Sequence, residues 1–233
     1  MKRHRGAKFH SREMAAYQSW VPELGPRAPR LVAADTEARA VVVTALSGRP
    51  LHGMVLDPAA EARIQHGLGR RASALHRSAP ERPADSATAA GKIKRHVQGA
   101  RPYRSDGDED LVLALAGTYA RLPLPSFVPT HGDLQYRNVL LDDDGEPLLF
   151  DFERSEYNTP TRDMVRLSDT WTGHPNLRGA FLDGYGRPLT SDEELRLDCE
   201  SAFDAVYGTG HGDPEVTERS HRTLRRLHTI RHP

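Results

Sequence analysis

The stretch that decides the fold is His131-Gly132-Asp133-Leu134-Gln135-Tyr136-Arg137-Asn138. Two short apolar runs follow it, residues 139–141 and 148–150, and the segment between them contains three aspartates, a glycine and a proline. Such runs on either side of turn residues predict an antiparallel β-hairpin. Pairing about this turn would bring Asn138 and Asp151 together at the open end, beside the loop that carries Asp133.

An Asp, an Asn and a second Asp in this arrangement suit phosphoryl transfer. Mg²⁺ prefers carboxylate and amide oxygens, so Asn138 and Asp151 are candidate metal ligands. The reaction also needs a group that holds and deprotonates the attacking hydroxyl, and Asp133 is the candidate base. The structural alternative for Asp133 is a turn-forming aspartate after Gly132.

The spacing of these residues is similar to that of a known family. His131-Gly132-Asp133, Asn138 five residues after Asp133, and Asp151-Phe152-Glu153 thirteen residues after Asn138 resemble the catalytic and metal loops of the aminoglycoside phosphotransferase and choline kinase-like family, relatives of protein kinases. The resemblance implies an α+β, protein kinase-like two-lobed fold that uses ATP and Mg²⁺. It also implies transfer of the γ-phosphoryl group to a small-molecule hydroxyl, with an aminoglycoside as the leading acceptor.

The same resemblance extends to the N-terminal region. Lys2, eleven residues before Glu13, resembles the strand lysine that binds the ATP phosphates and pairs with a helix glutamate. Residues 41–47 resemble the strand and hinge along which adenine lies, with backbone hydrogen bonds offered around Thr44, Ala45 and Leu46.

Two further residues are expected to support the catalytic loop. Asp163, in Pro160-Thr161-Arg162-Asp163, resembles the aspartate that braces this loop in the family. His131 is expected to hold the loop through hydrogen bonds rather than to carry a proton. Gln135, Tyr136 and Arg137 fill the variable part of the motif, and packing and substrate-rim roles both remain open for them.

The resemblance also predicts the domain organisation. We expect an N-terminal lobe at residues 1–47, with the lysine strand, a helix, two strands and the hinge, and a helical C-terminal lobe at 48–233 that holds the catalytic loop and the hairpin. Family members carry a glycine-rich hairpin before the lysine strand, whereas this sequence begins at the lysine. The N-terminal lobe is therefore expected to be reduced, with either an earlier true start or an open phosphate site.

Hydrophobic periodicity predicts the other elements. A helix at 12–24 is expected to be broken by Pro22 and to place Glu13 on its apolar face, where a carboxylate needs a cation. Beyond residue 47 the pattern is helical apart from the hairpin, although Gly67 and Gly69 weaken one helix. The predicted strands are 29–34 and 39–45, and the further predicted helices are 59–76, a poor one at 87–98, 108–122, one from Ser191 and one from Pro214.

Composition excludes several functional classes. The 32 basic residues balance the 32 acidic ones, so no global field favours nucleic acid or an anionic membrane. Cys199 is the single cysteine, which excludes an intramolecular disulfide and favours a reducing, cytoplasmic location. No apolar run is long enough to span a bilayer, so a soluble protein is expected.

Two alternatives concern the activity itself. The acceptor could be another metabolite such as choline, homoserine or a sugar, or the chain could be a nucleotide-binding pseudokinase without turnover.

An acidic rim after the metal loop would favour a polycationic acceptor, although charged surface helices give similar counts. Its candidate members are Glu153, Glu156, Asp163, Asp169 and Asp183.

Overall fold

The computed structural model describes residues 1–84, 107–209 and 212–231. Within these ranges the strands are β1 (Lys2–Arg3), β2 (Leu31–Asp35), β3 (Ala40–Val43), β4 (Arg49–Pro50), β5 (Arg82–Pro83), β6 (Ser126–Thr130), β7 (Val139–Leu141), β8 (Pro147–Leu149) and β9 (Glu156–Asn158). The α-helices are α1 (Ala7–Ser19), α2 (Pro58–His76), α3 (Asp108–Arg121), α4 (Ser168–Trp171), α5 (Pro175–Tyr185), α6 (Ser191–Gly208) and α7 (Pro214–Arg231). Short 3₁₀ helices occupy Val21–Arg27, Tyr136–Asn138, Phe152–Arg154 and Pro160–Asp163.

The chain forms two compact units, each assembled from separate stretches. The first unit contains Met1–Arg82, Ser126–Asp163 and Gly173–Pro188, and the second contains Pro83–Pro125, Met164–Thr172 and Leu189–Pro233. The predicted lobe boundary after Ser47 falls inside the first unit and stays a prediction.

The N-terminal part of the first unit is a three-stranded antiparallel sheet with the order β1-β3-β2. Lys2 pairs with Val41, and Leu31 pairs with Val43. Both predicted strands are present in shorter form, and the β-branched run at 41–43 supplies the central strand. Helix α1 starts at Ala7, earlier than predicted, and ends before Pro22, which lies in the following 3₁₀ helix because its ring does not fit a helix interior.

The predicted hairpin is present, with one additional strand. Val139 pairs with Leu149, and the Asp142 side chain accepts hydrogen bonds from two backbone N–H groups of the turn, those of Asp144 and Glu146. The additional strand is β4, which pairs with β7 and was not predicted. As an edge strand, β4 tolerates its proline.

A second strand pair was not predicted. Strands β6 and β9 pair antiparallel, with Thr130 opposite Glu156. The expectation of a single hairpin beyond residue 47 is therefore wrong. Pro129 within β6 and the polar composition of the short β9 hide the strand pattern. Strand β6 leads directly into His131 and so fixes where the catalytic loop begins.

Helices α2 and α5 pack closely in the first unit through two glycines. A Cβ atom at Gly69 would overlap the Phe181 carbonyl oxygen, and one at Gly184 would overlap the His66 carbonyl oxygen. Helix α2 agrees with its prediction and is capped by Asp57, whereas α5 was not predicted. Glycine, which weakens the intrinsic helix propensity, here lets two helix backbones approach.

The second unit has a core formed by α3, α6 and α7. Leu115, Cys199, Phe203 and Leu224 are among its buried residues, and the Cys199 thiol donates to the Leu115 carbonyl oxygen at 3.2 Å. Helix α6 begins at Ser191 as predicted, and its capping box uses Thr190 and Glu193. The predicted helix at 87–98 lies outside the described residues.

In the described part of the chain, no helix has the length and apolar character needed to cross a membrane.

The glycine contact between α2 and α5 generates a stability prediction. Gly69→Ala and Gly184→Ala should each lower the free energy of unfolding by about 1–3 kcal/mol, because the added methyl group overpacks the contact. Urea unfolding followed by circular dichroism measures this change. Gly179→Ala is the matched control, since Gly179 lies in α5 with no atom within 4 Å of an added Cβ. Equal effects at all three positions would contradict the close-packing explanation.

Candidate active site

The hairpin and the preceding loop carry the predicted base, Asp133, and the two predicted metal ligands, Asn138 and Asp151. The Phe150 N–H donates to the Asn138 carbonyl oxygen at 3.2 Å, so Asn138 lies opposite the residue before Asp151. The Asn138 side-chain amide donates to the Asp133 carbonyl oxygen at 2.8 Å. Because the amide nitrogen is used in this bond, the Oδ1 atom of Asn138 is the part suited to bind a cation.

Asp151 has an unusual backbone conformation, with φ 65° and ψ 65°. This left-handed region is uncommon for residues other than glycine, and such conformations cluster at functional sites. Asp151 lies two residues after β8 and immediately before the 3₁₀ helix Phe152–Arg154. The Asp151 carboxylate contacts the Lys2 ammonium group, with 2.5 Å between Oδ1 and Nζ.

Lys2 is surrounded by three carboxylates. Besides Asp151, its Nζ lies 3.2 Å from Glu13 Oε2 and 3.0 Å from Glu153 Oε2. Burial lowers the pKa of Lys2, but the contacts with Asp151, Glu13 and Glu153 outweigh it and raise the pKa above its ordinary value. Burial also raises the pKa of Glu13, which is only 2% exposed. The predicted pairing of Lys2 with the buried glutamate of α1 is therefore present.

A histidine missed in the sequence completes this cluster. His4 Nε2 lies 2.7 Å from Glu13 Oε2, and the His4 ring packs edge-on against His10. His4 continues the β1 ladder, because its N–H donates to the Arg39 carbonyl oxygen. Residues two apart in a strand face the same side, so the Lys2-x-His4 spacing was an available signal.

Asp163 braces the catalytic loop as the resemblance implied. Its carboxylate accepts hydrogen bonds from the N–H groups of His131, at 2.8 Å, and Gly132, at 2.7 Å. It also lies 3.1 Å from His76 Nε2. Complete burial works to raise the pKa of Asp163, but the interactions with His76 and His131 outweigh it and lower the pKa. His76, at the end of α2, was not assigned this role.

His131 and Gly132 connect the loop to the hairpin. His131 Nε2 lies 2.9 Å from the Phe150 carbonyl oxygen, and its ring stacks near Phe152, with 4.6 Å between centroids. Gly132 has φ +76°, and a Cβ there would overlap the Arg154 carbonyl oxygen. Glycine is therefore required at this position.

The structure separates the roles of the variable motif residues. Tyr136 is tied to α2, since its hydroxyl accepts from Gln65 and donates to Glu61. Gln135 donates its amide to Asp133 Oδ1 at 2.6 Å. Arg137 instead points a guanidinium at the other oxygen of Asp133.

Two guanidinium groups lie beside that second oxygen of Asp133. Arg137 Nη2 is 3.7 Å from Oδ2, and Arg154 Nε is 3.8 Å from it. Arg154 was missed in the sequence, where it follows the metal loop with no motif of its own. Both oxygens of the candidate base are therefore engaged.

The predicted hinge residues follow β3 in an extended segment. The Thr44 N–H donates to the Arg30 carbonyl oxygen, and the Thr44 hydroxyl accepts from the Arg30 N–H, each at 2.9 Å. The Thr44 N–H is thus used in the sheet. Contact of a purine with Ala45 and Leu46 stays a prediction.

Comparison with protein families identifies the chain. The sequence model of the Phosphotransferase enzyme family matches residues 1–197. The chain belongs to this family. The predicted family and the prediction that the chain is a phosphotransferase are therefore confirmed. No curated protein matches the sequence.

Solved structures similar to this phosphotransferase show its fold. The GDP complex of aminoglycoside 2'-phosphotransferase-IIIa is 17% identical, with a TM-score of 0.70, and the match covers 97% of this chain and 83% of that one. Choline kinase LicA from Streptococcus pneumoniae is 18% identical, with a TM-score of 0.67, and the match covers 97% of this chain and 84% of that one. Macrolide 2'-phosphotransferase type I is 18% identical, with a TM-score of 0.64, and the match covers 94% of this chain and 81% of that one. The predicted protein kinase-like α+β fold is confirmed.

The donor set of the phosphotransferase fits a hard cation. Asn138 and Asp151 offer one amide and one carboxylate oxygen, and Mg²⁺ usually takes few protein ligands and fills its other positions with phosphates and water. Among the described residues, no group of three or more His, Cys, Asp or Glu side chains could hold a metal ion. The predicted site is of the mixed Asn and Asp type and stays a prediction.

The candidate members of the acidic rim differ in exposure and in ion pairing. Asp163 is fully buried, and Asp169 belongs to the second unit, where its carboxylate accepts from the Thr223 hydroxyl. Glu153 contacts Lys2, and Glu156 is bonded to Arg12. Asp183 is exposed but lies near His66. The five carboxylates, which follow the metal loop in the sequence, therefore differ in burial and in ion pairing.

The Asp163 brace generates a prediction on stability and pH. Asp163→Asn should lower the free energy of unfolding at pH 7 by roughly 1–3 kcal/mol, since it loses charge-assisted bonds to buried groups. The folded pKa of Asp163 lies below its ordinary value of 3.8, so its contribution is present above that pH and disappears as the pH falls toward the folded pKa.

The measurement is urea unfolding between pH 7 and pH 3. The difference between wild type and Asp163→Asn should shrink below about pH 4. Asp183→Asn serves as the control because this exposed carboxylate lies outside the brace, and it should change little. A difference that stays constant down to pH 3 would contradict the assignment.

Proposed function

We propose that the chain transfers the γ-phosphoryl group of Mg·ATP to a hydroxyl of a small molecule. The observation that carries the proposal is the convergence of Asp133, Asn138 and Asp151 on one loop and one hairpin, next to the Lys2 cluster. Family membership and the resemblance to kinase-like relatives support it. A cytoplasmic location, where ATP is plentiful, belongs to the same proposal.

Each residue has a role that its surroundings favour. Lys2, oriented by Glu13, binds the α- and β-phosphates. Asn138 and Asp151 hold Mg²⁺, which when bound neutralises charge on the phosphates. Asp133 orients the acceptor hydroxyl and takes its proton while the oxygen attacks the γ-phosphorus in line. The brace from Asp163 keeps the loop of Asp133 in place.

The nucleotide base is proposed to lie along residues 44–46. Similar structures include three GDP complexes of phosphotransferases, so ATP and GTP are both candidate phosphoryl donors. Parallel turnover assays with ATP and GTP, at matched Mg²⁺ concentrations, decide which nucleotide the chain prefers.

The acceptor is proposed to be a hydroxyl compound, with one leading candidate and four alternatives. An aminoglycoside is the acceptor that the resemblance implied, and structures described as kanamycin and gentamicin complexes are among the similar ones. Choline, homoserine, a sugar or a macrolide are the alternatives. A panel of these hydroxyl compounds decides between them. If aminoglycosides are phosphorylated, expression in a susceptible bacterium should also raise resistance to them.

A pseudokinase is the second candidate, and one observation favours it. Both carboxylate oxygens of Asp133 are engaged, by Gln135, Arg137 and Arg154. If that state persists with nucleotide bound, the chain would bind Mg·ATP without turnover. Phosphoryl transfer to any acceptor in the panel would exclude this candidate.

The assignment of Asp133 predicts a loss of turnover. Asp133→Ala should reduce kcat by roughly 10²-fold or more, because the hydroxyl loses its base, while the affinity for Mg·ATP stays nearly the same. Steady-state kinetics and nucleotide titration measure the two effects. Asp143→Ala, at an exposed position of the hairpin turn, is the control. Turnover that survives Asp133→Ala would assign the base to another group.

The assignment of Asp151 predicts a different loss. Asp151→Ala should abolish the metal-dependent part of nucleotide binding, because a carboxylate ligand of Mg²⁺ is removed. Titration of ATP with and without Mg²⁺ measures it, again with Asp143→Ala as the control. An unchanged Mg²⁺ dependence would remove Asp151 from the metal site.

A further inference from the structure

Among the described residues, the surroundings of Asp133 contain more positive than negative charge. Arg137 and Arg154 both lie beside the same oxygen, Oδ2 of Asp133. Within residues 1–84, 107–209 and 212–231, Asp133 is the only carboxylate within 4.0 Å of either guanidinium group. Two cations thus share one anion, and one positive charge is left in excess next to the candidate base.

Both arginines are accessible to a ligand. The side chain of Arg137 is 48% exposed and that of Arg154 is 32% exposed, whereas that of Asp133 is 9% exposed. The distances to Asp133, 3.7 and 3.8 Å, exceed those of a hydrogen bond. Because neither guanidinium group is hydrogen-bonded to Asp133, both keep N–H donors for an incoming anion.

The backbones of the two arginines are fixed although their side chains are accessible. Arg137 lies in the 3₁₀ helix that ends at Asn138, and the Arg154 carbonyl packs against Gly132. Both guanidinium groups are therefore carried to the catalytic loop by its own architecture. A planar guanidinium group matches the oxygens of a carboxylate or phosphate.

The opposite charge lies around Lys2. Three carboxylates, those of Glu13, Asp151 and Glu153, surround this single ammonium group. That excess of negative charge suits a divalent cation, and the nucleotide phosphates arrive with it. The excess of positive charge beside Asp133 is thus separate from the residues proposed for the metal.

Resting on the proposed function, we propose that Arg137 and Arg154 bind an oxyanion of the acceptor, so that the acceptor carries a carboxylate or phosphate group close to the hydroxyl that is phosphorylated. The bound anion draws both guanidinium groups away from Oδ2 of Asp133, and this oxygen accepts the hydroxyl proton. The acceptor oxygen then forms a bond to the γ-phosphorus, the bond from that phosphorus to the bridging oxygen breaks, and ADP leaves with the electron pair.

This proposal changes the expected acceptor. A polycationic aminoglycoside would meet two guanidinium groups at the catalytic base, and of the five candidate rim carboxylates only Asp183 is exposed. An anionic hydroxyl compound meets complementary charge at the same place.

The first test measures oxyanion binding without needing the natural acceptor. Inorganic phosphate is titrated by calorimetry into the full chain saturated with Mg²⁺ and a non-hydrolysable ATP analogue, so that the nucleotide site is filled. Wild type should show saturable binding. Arg137→Gln/Arg154→Gln should weaken it roughly tenfold or more, because two charged donors are lost. Arg63→Gln, which removes an exposed charge from α2, should bind like wild type.

A second variant separates charge from geometry. Arg137→Lys/Arg154→Lys keeps both charges but loses the planar donors, and it should bind phosphate with intermediate affinity. Circular dichroism checks that each variant is folded. Phosphate binding that is absent from wild type, or equal in wild type and the Gln variant, would overturn the proposal. Loss of affinity for the Mg²⁺ and ATP analogue in the Gln variant would also overturn it, by assigning the arginines to the γ-phosphate.

Paired acceptors test the same idea during turnover. Glycerate is compared with glyceramide, and homoserine with homoserinamide, in a coupled assay for ADP release. Where a pair is phosphorylated, its carboxylate member should have a lower KM than its amide member. The Gln variant should lose this preference. Faster phosphorylation of kanamycin or choline than of the anionic compounds would reject the inference while leaving the proposed function intact. Failure of wild type to bind Mg·ATP would instead reject the proposed function itself.

Discussion

The buried carboxylate of Asp163 is the interaction on which the catalytic loop depends. It accepts hydrogen bonds from two consecutive backbone N–H groups, those of His131 and Gly132, and contacts His76 at the end of α2. A charge without solvent is costly unless such partners surround it. Because the partners come from the loop and from a helix, ionised Asp163 fixes the loop relative to α2, and the position of Asp133 follows from it.

The charges at the site are unbalanced in two places. Among the described residues, there are more carboxylates than cations around Lys2 and more cations than carboxylates around Asp133. In the proposed reaction a metal ion with a nucleotide completes the first half. In the proposed reaction an anionic acceptor completes the second. Complementary charge of this kind favours the correct ligand and penalises wrong ones.

The sequence was informative where local chemistry determines structure. The apolar runs on either side of the aspartate-rich turn predicted the hairpin, and helical spacing placed Glu13 on the buried face of α1. It was uninformative where tertiary contacts decide. Strand β6 carries a proline, and Gly69 weakens a helix that needs glycine only because α5 packs against it. The pairing of Arg154 with Asp133 joins residues 21 positions apart with no periodic signal between them.

The engaged state of Asp133 has a consequence for unwanted reactions. A phosphotransferase whose base is open when only Mg·ATP is bound can activate water and hydrolyse the nucleotide. In this chain Gln135 holds Oδ1, while Arg137 and Arg154 lie beside Oδ2. Water carries no charge with which to move the guanidinium groups, whereas an anionic acceptor does. The binding energy of the acceptor would then assemble the competent base, which is how induced fit provides specificity. In the proposed reaction, the two arginines that select the acceptor would also restrain hydrolysis of the nucleotide when no acceptor is bound.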